Sequence, residues 1–359
     1  MEPPAVRQPR LCASAQLQRW SFVRAALSSA KLSKSIHAVC ILIRGELLKG
    51  KDGAATIPFF KSKHTLWPVE GTSQVSTKFK KGEHNWPFSL SIPATFVKEG
   101  KTFRLSQFFS DRLAIFRIQY VAELRVVRGK LRPDDKVART FGYFSMQQPG
   151  PPSALRQLAY QENSLLLGPT ADHEGWTSQS ASVKGDLFSS RQIELKFTLS
   201  LATPLSYTRR TCIPCALTID TKDAHAFDLL TTPVACMTVE PCGRALFHPS
   251  MEGAPDYSAR RLMGEIHLRA DLQPSVAIFG FRVEYAVVIF PFQAAGFKPL
   301  DSGPVLQQDV EIVTAYAPGP RHTQLRPKKH GMQPLIAIIS LLLSDPRPQI
   351  LYNRAMPPN

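Results

Sequence analysis

Gln192-Ile193-Glu194-Leu195-Lys196-Phe197-Thr198-Leu199-Ser200-Leu201 is the stretch on which the fold turns. Ile193, Leu195, Phe197, Leu199 and Leu201 alternate with polar residues. A period of two describes a strand with one face in a core and one in water. Ile118, Tyr120, Ala122, Leu124 and Val126 repeat the pattern against Gln119, Glu123 and Arg125. Shorter alternations are Phe88, Leu90 and Ile92, and Val310, Ile312, Thr314 and Tyr316. Ala38 to Ile43 is apolar throughout and predicts a buried strand. Phe279, Phe281, Val283, Tyr285, Val287 and Ile289 line one face of a longer strand. Its other face changes from Arg282 and Glu284 to Ala286, Val288 and Phe290, so it should pass from a half-exposed setting into one covered on both sides.

Strands occupy both halves of the chain with no regular helix read between them. A doubly wound α/β fold needs a crossover helix after nearly every strand, so it is excluded. Thirty prolines and 20 glycines agree with short strands and turns. The 359 residues suggest about two domains. The halves echo one another: a short strand, an irregular loop, then a long strand carrying Tyr120 or Tyr285. The expected architecture is all-β, with two tandem antiparallel β-sandwiches of immunoglobulin-like type over 36–146 and 185–318. The proline-rich segment Gln147-Gln148-Pro149-Gly150-Pro151-Pro152-Ser153 opens an expected surface linker, 147–184. A C-terminal tail, 319–359, carries Arg321, Arg326, Lys328 and Lys329.

Residues 1–35 read as a basic extension, helix-prone or disordered. Leu17, Trp20, Val23, Leu27 and Ala30 recur at helical spacing. Six basic residues against one acidic in residues 1–43 resemble a transit peptide, but Pro3, Pro4 and Pro9 oppose a helix at the very end. No apolar stretch of the ~7–15 residues of a secretory signal appears there. The longest strongly apolar run near either end, Leu335 to Leu343, is nine residues counting Ser340, well short of a helical bilayer span.

Six cysteines stand at 12, 40, 212, 215, 236 and 242. Cys212-Ile213-Pro214-Cys215 has a zinc-like spacing, but 212–219 reads as a strand, where an i, i+3 pair points to opposite faces. Buried thiols are therefore expected, with no metal or cofactor. No GxGxxG, Walker loop, HExxH or GxSxG occurs, and an enzyme is not expected. His84 is read as a structural hydrogen-bonding residue.

Particular motifs resemble the arrestin superfamily, most closely the arrestin-like proteins of fungi. Val39-Cys40-Ile41-Leu42-Ile43-Arg44-Gly45 is similar to the family's strand ending in Ile-Arg-Gly. Leu66-Trp67-Pro68 and Lys81-Gly82-Glu83-His84-Asn85-Trp86-Pro87-Phe88-Ser89-Leu90-Ser91-Ile92-Pro93 follow, and Tyr120-Val121-Ala122-Glu123-Leu124 looks like its next core strand. Pro204 to Ile219 looks like the opening hairpin of the C-terminal arrestin domain, with Arg210 where a glycine is usual, a strained turn. The family places one or two further strands ahead of the Ile-Arg-Gly strand, where this chain has its basic segment.

The resemblance implies a non-enzymatic adaptor, cytoplasmic or peripheral at membranes, binding membrane-protein cargo tails in trafficking or ubiquitin-linked endocytosis. Pro3-Pro4, Pro151-Pro152 and Pro357-Pro358 all lack the tyrosine of a Pro-Pro-x-Tyr motif, so a ubiquitin ligase partner is not supported. The net charge of +16 points to acidic partners. Lys78, Lys80 and Lys81 are the candidate contact with an acidic partner or anionic lipid headgroups. The competing reading is a basic β-sandwich binding nucleic acid or other polyanions. It is disfavoured because aromatics do not interleave with these lysines.

Overall fold

In the computed structural model the described residues are 23–27, 36–50, 55–67, 82–86, 92–110, 116–128, 133–223, 243–249, 259–278, 281–291, 296–321 and 338–342. The protein is all-β, and the chain divides into two units, Met1–Met146 and Gln147–Asn359.

Unit 1 contains β1 (Val23–Leu27), β2 (Ile36–Lys49), β3 (Ala55–Trp67), β4 (Gly82–Trp86), β5 (Thr95–Lys98), β6 (Lys101–Arg104), β7 (Phe109–Ser110), β8 (Phe116–Arg128) and β9 (Asp135–Phe141). Its main sheet runs β3-β2-β8-β7, with β9 also paired to β8, all antiparallel. Val39, Ile41 and Ile43 of β2 and Ile118, Tyr120 and Val126 of β8 are buried on one face. The aromatic rings of Phe59, Phe96, Phe103 and Phe141 gather on this side around Tyr120, with Phe59 edge-on to Tyr120 at 5.9 Å and tilted on Phe96 at 5.4 Å. A Cβ at Gly45 would stand 2.6 Å from the Phe59 ring. Glycine is therefore required by the close approach of that ring.

Unit 2 contains α1 (Ala154–Glu162), β10 (Trp176–Leu187), β11 (Arg191–Ala202), β12 (Ser206–Thr208), β13 (Cys212–Thr221), β14 (Gly243–Pro249), β15 (Ala259–Leu268), β16 (Val276–Ile278), β17 (Phe281–Ile289), β18 (Phe297–Pro299), β19 (Leu306–Val313) and β20 (Ile338–Leu342). One sheet runs β14-β15-β13-β11-β10-β18, the other β12-β19-β17-β16 with β20 on β17. Only the β12–β19 pairing is parallel among the described strands. In β11, Ile193, Leu195, Phe197 and Leu199 are buried while Glu194 and Lys196 are exposed, following the alternation. In β17, Arg282 is exposed and Glu284 half-buried, whereas Tyr285 to Ile289 are all buried.

Six expectations need correction. The segment 147–184 is not a bare connector: it supplies α1 and most of β10 to unit 2. Ser153 starts the helix by accepting from the Arg156 N–H at 3.2 Å, and Asn163, in the left-handed region, ends it. Within 1–35, Val23–Leu27 is a strand paired with β4, not part of a helix. An unpaired strand edge outcompetes an isolated amphipathic turn because it satisfies backbone groups directly. Leu17, Trp20 and Ala30 lie outside the described residues. The tail likewise contributes β20, whose apolar residues pair along β17. The strand and turn near 206–215 are not a hairpin: β12 and β13 belong to different sheets, and the chain crosses between them. Phe88 and Leu90 are outside the described residues, and Ile92 is not in a strand. Strand β19 ends at Val313, before Thr314 and Tyr316.

Candidate functional site

Lys78, Lys80 and Lys81 lie outside the described residues. The described residues bring together a different basic surface, on the face of the unit 1 sheet opposite Tyr120. Antiparallel partners share a face, so the register gives its rows. Lys61, Arg44, Val121 and Thr140 form one, and Lys63, Leu42, Glu123 and Ala138 the next. Thr65, Cys40, Arg125 and Lys136 form a third.

Two carboxylates order the arginines on this face. Arg44 Nη1 donates to Glu123 Oε2 at 2.9 Å, and Arg125 Nη2 and Nε donate to Glu123 Oε1 at 2.7 and 3.0 Å. Arg44 Nε stands 3.1 Å from Glu46 Oε1, and Gln119 Nε2 donates to Glu46 Oε2 at 2.9 Å. Glu123 is only 4% exposed. Burial pushes its carboxyl up, but the Arg125 hydrogen bonds and the charges of Arg44, Arg125 and Lys136 outweigh this and hold it below its ordinary value. It stays ionised and is a poor proton donor near neutral pH.

Lys61, Lys63 and Lys136 are exposed on β3 and β9 at the two sides of this sheet. The three rows therefore set five cations against Glu123, with Glu46 in the next row, and the lysines carry the surplus. Strands stand ~4.8 Å apart, so Lys63 and Lys136 are separated by roughly 14 Å across the sheet. No aromatic side chain occurs in the three rows, so bases would find no stacking platform.

Unit 2 holds a buried polar cluster that the sequence reading missed. Arg156 is 5% exposed. Its guanidinium donates to the Thr203 carbonyl at 2.7 Å and to the Gly175 carbonyl, and lies 5.3 Å from the Trp176 ring centroid. Asp172 accepts from Ser153 Oγ at 2.5 Å and from the Gly175 N–H at 3.1 Å. Burial lowers the Arg156 pKa, while Tyr160, Asp172 and Tyr207 oppose the shift. The donors of Arg156 are aimed at backbone oxygens, so the cluster fastens α1 to its unit. An arginine between Leu155 and Leu158 carried no sequence signal for this, since exposed helical arginines look the same.

Cys212 and Cys215 are both buried on β13. Burial raises the Cys212 thiol strongly, and the adjacent Glu265 carboxylate, with which it is hydrogen-bonded, raises it further. Burial also raises Cys215. Neither supplies thiolate near neutral pH. Among the described residues no three His, Cys, Asp or Glu side chains gather to hold a metal ion. Cys12, Cys236 and Cys242 lie outside them. Among the described residues no helix is long and apolar enough to cross a membrane.

No family model matches the chain, and no curated protein matches it.

Proposed function

We propose that the protein is a non-enzymatic, arrestin-like adaptor that binds acidic segments of membrane-protein cargo, working in the cytoplasm or peripherally at membranes. The observation that carries this reading is the basic face of the unit 1 sheet, buried at its middle (Cys40, Leu42, Val121 and Glu123) and exposed at its two sides. Its arginines are fixed by Glu46 and Glu123, and Lys61, Lys63 and Lys136 are left as exposed surplus charge. A sheet holds those cations at set spacings, so an extended acidic segment meets them without reordering the protein. The arrestin-like motifs and the all-β, two-unit architecture are compatible with the role. Ionised Glu123, fixed between two guanidiniums, favours binding over proton-transfer chemistry on this face.

The test is a titration of the full chain with a fluorescent acidic peptide at low salt. Replacing Lys61, Lys63 and Lys136 together with glutamine should weaken binding about tenfold, because exposed ion pairs contribute ~0.2–1 kcal/mol each. Binding should fade as salt rises. Equal affinity of parent and variant overturns the reading. A clear preference for single-stranded DNA over the peptide, at matched charge and salt, would establish the polyanion-binding alternative instead.

A further inference from the structure

The turn between β12 and β13 takes no part in the basic face of unit 1. The Thr211 N–H donates to the Thr208 carbonyl at 3.2 Å, closing a four-residue turn with Arg209 and Arg210 at its centre. Arg210 has φ +70°. Glycine is usual at such a position, because an L side chain there is strained. A bulky cation occupies it here.

Neighbouring chain segments bring more of the same chemistry. The Arg209 N–H donates to the Val313 carbonyl at 3.2 Å, and Thr208 Oγ1 to the Ala315 carbonyl at 2.8 Å. These bonds place the backbone of 313–315, which leads into Tyr316, beside the turn. The Arg321 guanidinium lies 4.4 Å from the Tyr316 ring centroid. On the other side the Leu268 N–H donates to the Thr211 carbonyl at 2.8 Å, which brings Arg269 alongside. Arg210, Arg269 and Arg321 are exposed and Arg209 is half-buried. The acids on these elements are Asp220, Glu265, Asp271, Asp309 and Glu311; Asp271 accepts from Arg269 Nε at 2.9 Å and from its Nη2, and Glu311 stands two residues before Val313.

All four cations are arginines. A guanidinium that stacks on a ring by its face keeps its edge donors for other partners. A guanidinium edge matches the paired oxygens of a phosphate, and a phosphomonoester brings nearly two negative charges and three acceptor oxygens. We propose that the Arg209–Arg210 turn, together with Arg321 on Tyr316, is a binding site for a phosphomonoester, free or as the headgroup of phosphatidic acid. The site is on unit 2 and does not rest on the proposed cargo face.

The test measures the melting temperature of the full chain in millimolar inorganic phosphate, with sodium chloride holding ionic strength constant. A ligand at about 100 times its Kd multiplies the folded-to-unfolded ratio about 100-fold, so a site at saturation raises the melting temperature visibly. The parent should show this rise. Arg209→Gln with Arg321→Gln should lose it, and Arg210→Gly should lose most of it while melting no lower than the parent without phosphate. Lys61, Lys63 and Lys136 replaced by glutamine should keep it. Phosphate also stabilises proteins generally by exclusion from their surfaces. A rise of equal size in parent and arginine variants is that general effect and overturns the site. Vesicles of phosphatidylcholine with phosphatidic acid, compared with phosphatidylserine at equal charge, separate the two sources. Phosphate-responsive melting with no preference for phosphatidic acid assigns the free anion, and a preference lost in the arginine variants assigns the headgroup.

Discussion

Glu123 shows how a single carboxylate organises a surface. It is the common acceptor of Arg44 and Arg125. Glu123→Gln should cost unit 1 about 1–3 kcal/mol in a denaturant melt, the range for hydrogen bonds to charged groups. Its arginine partners are partly exposed and rehydrate, which keeps the loss below that of a wholly buried pair. The pH dependence follows from the lowered folded-state pKa. A depressed carboxyl stabilises the fold above its unfolded value, ~4.3, and loses that contribution as pH falls through its folded value. Acid unfolding of the parent should therefore include a step below about pH 4 that Glu123→Gln lacks. Gly45 makes the opposite kind of demand. Gly45→Ala should destabilise by about 1–3 kcal/mol, because the Phe59 ring occupies the space of the new methyl. The buried thiols of Cys40, Cys212 and Cys215 should resist a thiol reagent at pH 8 and label fully in denaturant, read by peptide mass spectrometry. Labelling of Cys212 in the folded protein would contradict its raised pKa.

Elements in this protein are held by partners distant in sequence. Strand β11 buries Phe197 to 2% exposure, so Phe197→Ala should cost about 3–5 kcal/mol. A loss under about 1 kcal/mol would mean that the packing of β11 contributes little. Helix α1 is anchored by Arg156 rather than by a broad apolar face, since Leu155 and Leu158 are exposed and Ala159 is the buried apolar residue. Arg156→Leu leaves the Thr203 carbonyl without its guanidinium donor and leaves the Gly175 carbonyl with the Thr203 N–H alone, at 2.8 Å, and should speed hydrogen exchange across 154–163. Ser153→Ala should cost about 1 kcal/mol through loss of the cap.

At the scale of the whole molecule, many ladders join residues far apart in the chain. Ile43 faces Ala122, and Tyr207 pairs with Ile312. Loop closure must precede such contacts, so refolding should take milliseconds to seconds or longer rather than microseconds. Stopped-flow fluorescence checks this. The charge of +16 is also a property of the whole chain, and the described residues distribute it unevenly. Arg44 and Arg125 of the unit 1 sheet are paired with Glu46 and Glu123, whereas Lys61, Lys63 and Lys136 face solvent or a partner.

What the sequence determined by itself was the local pattern: β8, β11 and β17 were legible because side chains in a strand point to opposite faces every residue, whatever the strand pairs with, and β2 because Ala38 to Ile43 is apolar throughout. The polar face of Gln119, Glu123 and Arg125 was legible for the same reason. Only the tertiary structure decided which strands lie side by side, and therefore that Lys61, Lys63 and Lys136 share a face with Arg44 and Glu123. Register is set by packing and backbone hydrogen bonds between distant segments, which a one-dimensional pattern does not encode. The same limit hid β1, β20 and Arg156. An edge strand takes its conformation from the edge it joins, and a buried arginine becomes a clamp only when folding brings two carbonyls within reach of its guanidinium.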